Sequence, residues 1–345
     1  MIKRILIIGL GSIGKRHLRI ARELNPEADI RVLRHQKCSY TPEYSDGCFF
    51  SIEQALVFKP QLAVIANPAN FHMGKAQPLA EIGTHLLIEK PLSISTDGIE
   101  QLIETCRKNK IVLLVGYNLR YLPSLKKFRD LLRENIIGKI FSVRGEIGQY
   151  LPTWRPDTNY KESVSARRDL GGGVLLELSH EIDYMRWIFG EVDWVKASLS
   201  KQSNLEVNVE DTAHLILGFD SLSNNENQLI GSLNIDFIRH DKTRLCTVIG
   251  ETGTLRWNGV TEKVELFEIN SKEWCELYQY EQHRDDTYIL EWKHFLDCVE
   301  NQQTPIINGI DGLKVLNIIN AARQASKYKK QCKVLEGKDM GSNSI

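Results

Sequence analysis

The sequence has no stretch approaching the roughly 18 consecutive apolar residues of a membrane-spanning helix, so no bilayer span is expected. Charge of one sign is also missing. The 44 Lys+Arg stand against 44 Asp+Glu, which argues against a generally basic nucleic-acid binder. The seven cysteines are odd in number, scattered at 38, 48, 106, 246, 275, 298 and 332, and never spaced as C-x-x-C. Neither a disulfide framework nor a metal centre is expected, and a reduced, cytoplasmic setting is. The apolar start at 4–8 could pass for a secretion signal. Gly9 and Gly11 interrupt it, Lys15-Arg16 follow, and there is no small-residue cleavage site. Internal repeats are absent as well.

What is present reads as an ordinary globular chain, with 42% hydrophobic and 26% charged residues. At 345 residues it exceeds one typical core, which points to two domains. Over the first 120 residues, runs rich in Ile, Val and Leu (4–8, 30–33, 62–66, 85–88 and 111–115) alternate with helical patterns at 14–24, 51–58, 74–82 and 98–109. Nearly continuous apolar strands separated by helices predict an α/β domain over 1–120, a parallel sheet covered by helices. The pattern then changes. A helix at 124–134 and a strand at 139–147 precede a Gly-rich helix start at 171–173. Longer alternating strands follow at 194–199, 212–219, 228–237, 245–250 and 254–257. Few helices separate these strands, so 121–336 reads as an α+β domain with a mostly antiparallel sheet, ending in helices at 288–299 and 312–325. A polar hairpin loop is expected at 221–227 and a frayed, disordered tail at 337–345.

Gly9-Leu10-Gly11-Ser12-Ile13-Gly14 is a G-x-G-x-x-G motif that follows a strand and opens a helix, the context a dinucleotide site requires. The first glycine makes the turn and the second lets the backbone approach a pyrophosphate. The third lets helix and strand pack closely, and the helix N-terminus faces the phosphates. An NAD site carries an acid about 20 residues on, at the end of the second strand, for the ribose 2′-hydroxyl. Leu33-Arg34-His35-Gln36-Lys37 offers none, and residues 1–40 hold nine Lys/Arg against three Asp/Glu. Arg34, helped by Lys37 and with His35 between them, suits a 2′-phosphate. NADP(H) is expected in preference to NAD(H).

Glu89-Lys90-Pro91 closes the fourth strand, after Asn67-Pro68-Ala69-Asn70-Phe71-His72. Gly116-Tyr117-Asn118-Leu119-Arg120-Tyr121 and Ile137-Gly138-Lys139-Ile140 come next. Gly171-Gly172-Gly173 with Glu177, His180 and Asp183, and Ile249-Gly250-Glu251-Thr252-Gly253-Thr254, complete the series. In this order and spacing the motifs resemble the glucose-fructose oxidoreductase / inositol dehydrogenase / rhizopine-catabolism (Gfo/Idh/MocA) family over nearly the whole chain. The resemblance implies a Rossmann domain followed by an α/β domain with a large open-faced antiparallel sheet. That sheet would serve a homo-oligomer, dimer or tetramer. The implied activity is NAD(P)-dependent hydride transfer between nicotinamide and a hydroxyl or carbonyl of a sugar, cyclitol or nucleotide sugar. By the same resemblance Lys90 contacts substrate and nicotinamide and helps in proton transfer. Gly9, Gly11, Ser12, Ile13, Gly14, Asn67, Pro68, His72 and Glu89 fall on the cofactor side.

Hydride transfer to or from a secondary alcohol leaves a proton to be handled, so the site needs a group titrating near neutrality. His does so unperturbed, and Lys does when desolvated or near another cation. Lys90 sits at a strand's carboxyl end, where open α/β sheets bind ligands. Glu177, His180 and Asp183 have the i, i+3, i+6 spacing of a helix, with Tyr184 and Trp187 on the face of His180 and Glu177. His180 is the candidate general acid/base; Asp183, Glu177, Arg120 and Tyr121 are candidate substrate ligands. The family pattern puts His four residues after an acid. Here the spacing is three, and one residue fewer in a continuous helix turns later side chains by about 100°. Trp154, Arg155, Tyr160, Arg167 and Arg168 make a loop able to stack on a sugar ring or hold a carboxylate or phosphate. By spacing alone His17, His72, His214 and Cys106 read as structural. Two other readings stand beside the main one: a nucleotide-sensing regulator on the same fold, and a reductase of a non-sugar carbonyl such as a tetrapyrrole or a diol. The first has no need of the proton-transfer groups Lys90 and His180.

Overall fold

The computed structural model describes residues 2–35, 40–220 and 228–335; Lys37, the expected hairpin loop and the expected tail lie outside them. The chain begins with β1 (Arg4–Ile8), α1 (Ser12–Leu24), β2 (Asp29–Leu33), β3 (Gly47–Phe49), α2 (Ile52–Phe58) and β4 (Leu62–Ile65). It continues through α3 (His72–Glu81), β5 (His85–Glu89), α4 (Ile99–Lys108), β6 (Leu113–Gly116), α5 (Pro123–Arg133) and β7 (Ile140–Gly148). After a long loop come α6 (Val174–Glu177), α7 (His180–Phe189), β8 (Val192–Ser200), β9 (Thr212–Phe219), β10 (Ile230–Asp236) and β11 (Thr243–Gly250). The last elements are β12 (Gly253–Asn258), β13 (Lys263–Glu268), β14 (Trp274–Gln279), α8 (Asp286–Asn301), α9 (Gly309–Tyr328) and β15 (Cys332–Lys333).

The apolar runs of the first part form the parallel sheet they predict, in the order β3-β2-β1-β4-β5-β6. Ile5, Ile7, Val32, Val64 and Leu87 are fully buried, as strands covered on both faces must be. β3 escapes the sequence pattern because it is three half-buried residues long. The second part forms a nine-stranded sheet, β14-β13-β12-β11-β7-β10-β9-β8-β15, antiparallel except where β10 runs parallel to β7. Fold class and mostly antiparallel character agree with the sequence reading. β13 and β14 were not expected, and β14, mostly exposed, has little apolar alternation to reveal it.

Backbone contacts divide the chain into two compact units, Met1–Asn118 with Arg284–Leu316 and Leu119–His283 with Asn317–Ile345. The sequence places 284–316 with the second part; in the fold this segment belongs to the first unit. Trp292, Phe295, Cys298 and Val299 of α8 share one buried cluster with Ile5, Ile7, Leu18, Ile20 and Ile30. Among the described residues no helix is long and apolar enough to cross a membrane.

If α8 completes that core, Phe295→Ala lowers stability by about 3–5 kcal/mol, read from the denaturant midpoint. Leu290→Ala, on the more exposed side of the same helix, costs less than about 0.5 kcal/mol. Equal losses would place α8 outside the core.

Candidate active site

In the first unit the carboxyl ends of β1, β4 and β5, neighbours in the sheet, present three turns. Gly9 has φ +91°, and a Cβ there would stand 2.9 Å from Ala66 O and Asn67 N. A Cβ on Gly14 would stand 2.1 Å from Gly9 O. Only glycine lets the first turn, α1 and the Asn67 turn come this close. Gly11 differs, since nothing lies within 4 Å of the Cβ it lacks. It is the N-cap of α1, offers no side-chain cap, and the first helical turn holds no acid. Exposed Gly11 and Ser12, half-buried Ile13 and these uncapped amides fit the pyrophosphate of a dinucleotide.

Arg34 directly follows β2, its N–H donating to Phe49 O (3.0 Å) and its guanidinium 5.5 Å from the Tyr40 ring centroid. His35 is exposed. Part of the cationic excess of residues 1–40 is met by Asp46 and Asp285, which the local count does not see, while Glu23 and Asp29 are already in it. Arg16 meets Asp285 (2.7 Å), Arg22 meets Asp46 (2.6 Å), Arg31 meets Asp29 (2.6 Å), and Arg19 meets both Glu23 and Asp285.

Asn67 and Pro68 are half-buried in the turn after β4. His72 is buried beneath that turn, Nε2 lying 2.7 Å from Asn67 O and Nδ1 3.1 Å from Pro91 O. It braces two turns against each other, and burial lowers its pKa against the pull of those carbonyls. Lys90 is half-buried just past β5; the Lys90–Pro91 peptide is cis. The Lys90 N–H donates to Glu89 Oε2 (3.2 Å), and Glu89 Oε1 lies 2.8 Å from His17 Nε2. Trp292 Nε1 donates to His17 Nδ1 (2.9 Å). Sequence reasoning missed Trp292 and its neighbour Glu291. The available sign was a carboxylate lying within the apolar stripe 288, 292, 295 and 299 of α8.

In the second unit the helix expected to carry Glu177, His180 and Asp183 together is broken. α6 is a single turn, Leu178 (φ −105°, ψ 25°) leaves helical geometry, and α7 begins at His180. Glu177 and His180 therefore do not share one continuous helix. Glu177 accepts from Ser165 Oγ (2.7 Å). In the first turn of α7, His180 is half-buried while Glu181 and Asp183 are buried. Arg244 Nε donates to Glu181 (3.0 Å), and burial raises the pKa of that carboxyl despite the pairing. Arg120 clamps Asp183 through Nε (2.9 Å) and Nη2 (2.6 Å). The guanidiniums of Arg120 and Arg129 lie 5.7 and 4.1 Å from the Trp187 ring centroid. The expected substrate ligands Arg120 and Asp183 thus hold each other, out of solvent, and Tyr121 is buried as well.

The residues of the expected ring- or anion-binding loop have partners within their own surroundings. Trp154 donates to Gln149 O (3.0 Å) and packs edge-on against Phe237. Tyr160 accepts from Glu206 N (3.2 Å), Arg167 pairs with Asp169 (2.7 Å), and Arg155 and Arg168 are exposed. Arg167, Lys161, Lys201, Leu205 and Asn208 line a surface cleft of about 480 Å³.

Residues 3–117 match the model of an oxidoreductase family's NAD-binding Rossmann fold, and residues 129–334 match that family's C-terminal alpha/beta domain. Myo-inositol 2-dehydrogenase of Thermotoga maritima is 26% identical, over 96% of this chain and 99% of its own. Levoglucosan dehydrogenase, solved in complex with NADH and levoglucosan, shares the fold with a TM-score of 0.83 at 20% identity, over 96% of this chain and 99% of its own. The WlbA dehydrogenase from Bordetella pertussis, solved with NADH and UDP-GlcNAcA, gives 0.78 at 19% identity, over 97% of this chain and 100% of its own. With both of its domains matched, and with the glycine turn and the Glu89-Lys90-Pro91 turn at the same end of the parallel sheet, either side of the turn after β4, the chain belongs to the Gfo/Idh/MocA oxidoreductase family.

Proposed function

We propose that the chain is an NAD(P)-dependent dehydrogenase or reductase that moves a hydride to or from a ring carbon of a sugar, cyclitol or nucleotide sugar. The observation that carries this reading is Lys90, a half-buried amine at the carboxyl end of β5, next to the dinucleotide turns, with its backbone tied to Glu89. The names of the relatives, myo-inositol 2-dehydrogenase and levoglucosan dehydrogenase, support a polyhydroxylated ring as substrate. A bound nicotinamide would supply the hydride acceptor or donor. Lys90 Nζ and the His180 imidazole take up or return the hydroxyl proton. Arg120, Asp183, Glu181 and Arg244 act one step back, by fixing the helix that begins with His180.

Lys90→Met and His180→Ala each lower kcat by about 10²–10⁴-fold while leaving dinucleotide binding within about twofold. The assay is NAD(P)H absorbance across a panel of sugars, cyclitols and nucleotide sugars. Unchanged turnover in both variants rejects the assignment. Asp183→Ala strands the buried Arg120 charge and lowers stability by about 3–5 kcal/mol, a loss His180→Ala does not share in melts.

We also propose that Arg34 makes NADP(H) the preferred cofactor. It stands where an NAD site has its acid, and its guanidinium lies 5.5 Å from the Tyr40 ring centroid. In fluorescence titrations Arg34→Ala raises the NADPH Kd about tenfold or more and leaves NADH within about twofold. Tighter NADH binding by the wild type, unaffected by the substitution, overturns this preference.

A further inference from the structure

Behind Lys90 the first unit buries a polar cluster that the proton chemistry above does not use. His17 comes from α1, Glu89 from β5, and Glu291 and Trp292 from α8. One atom each of His17, Glu89 and Glu291 lies within 4.8 Å of the others. His17, Glu291 and Trp292 are fully buried, Glu89 nearly so, and neither oxygen of Glu291 has a hydrogen-bond partner.

Such a set first suggests a divalent cation, but the donors argue against one. An indole N–H only donates, so His17 Nδ1 must keep the lone pair that accepts Trp292. The neutral ring then carries its proton on Nε2, the atom a metal would need, and gives it to Glu89. The opposite tautomer would set two N–H groups against each other across 2.9 Å. With two donors on it, the His17 Nε2–H and the Lys90 N–H, Glu89 is the group suited to carry charge. A second carboxylate ionised so near, dry and without a donor of its own, would be very costly.

We propose that Glu291 is a positioning residue, a neutral carboxyl that leaves Glu89 as the sole charge of the cluster and so keeps the Lys90 backbone in place. Its link to Lys90 rests on the function proposed above. Burial, and then the charge of Glu89, push the pKa of Glu291 well above the usual carboxylate range. The groups around it are Glu89 from β5, His17 from α1 and Tyr288 one turn earlier on α8, with Arg16 of α1 facing Tyr288. Arg16 stacks on Tyr288 (4.6 Å) and is paired with Asp285, while burial raises the Tyr288 hydroxyl.

A carboxyl whose folded pKa exceeds its unfolded value releases a proton on unfolding. Its contribution to stability is full below the unfolded pKa and falls as pH rises towards the raised one. Gln matches the protonated form and does not titrate. In thermal melts of the full chain between about pH 5 and pH 9, wild-type Tm falls relative to Glu291→Gln as pH rises. A difference that does not change with pH overturns the neutral carboxyl, as does stoichiometric zinc or magnesium in the purified wild type that Glu291→Gln lacks. Positioning has its own readout, using a substrate found in the panel. Glu291→Gln keeps kcat within about twofold, whereas Glu291→Ala lowers it about tenfold or more at an unchanged KM for the dinucleotide. Equal kcat in Glu291→Ala overturns the link to Lys90. A fully active Lys90→Met overturns the role given to Lys90 and that link together, while the melts judge the state of Glu291 by themselves.

Discussion

A carboxylate drawn out of water at the end of a strand has to be met by donors, and Glu89 is met by two. One is His17 Nε2–H from α1, and the other is the N–H of Lys90, the next residue. His17 is in turn oriented by the indole of Trp292. One chain of hydrogen bonds thereby ties residues 17, 89 and 292 into a single arrangement. Such a chain in a low-dielectric interior tolerates little displacement, because any group left unpaired there is costly. The glycine turn is a precondition. α1 carries His17 to its partner only because Gly14 lets the helix lie against Gly9.

The second unit meets the same requirement with ion pairs. The first turn of α7 buries two acids, Glu181 and Asp183, each of which has an arginine, Arg244 and Arg120. A buried pair of this kind is weak evidence of added stability, since desolvation offsets most of the attraction. Its consequence is geometric: removing either partner strands a charge, so the helix is held in one placement.

What the sequence made legible follows from what is written locally. Strands buried on both faces appear as unbroken runs such as Ile5 to Ile8, and the glycine motif and Glu89-Lys90-Pro91 mark their turns by residue type. What depends on a distant partner is not written that way. The stripe on α8 declares an apolar face without saying which core receives it, so the return of 284–316 to the first unit was invisible. The count of charges over residues 1–40 could not see Asp46 and Asp285 waiting further along the chain. Lys90 was found by its motif, whereas Glu291 and Trp292 have meaning only once α8 lies beside α1. β3 was missed for another reason: three residues are too few to show a period.

The three-residue spacing from Glu177 to His180 is the sharpest case of a local pattern that misleads. Read as one helix, it would turn His180 about 100° away from the family's direction. No Gly or Pro marks an interruption, yet the helix breaks at Leu178, so the count across that point carries no angular information. The rotation of α7 is set downstream instead. Positions 181 and 183 are about 200° apart around a helix axis. Their arginine partners therefore grip α7 from two sides, Arg244 on one and Arg120 on the other. A helix gripped on two sides cannot roll to accommodate one residue more or less before it, and such a change is taken up in the link at 178–179. The direction of His180 is then a property of α7 and its buried pairs, not of its distance from Glu177.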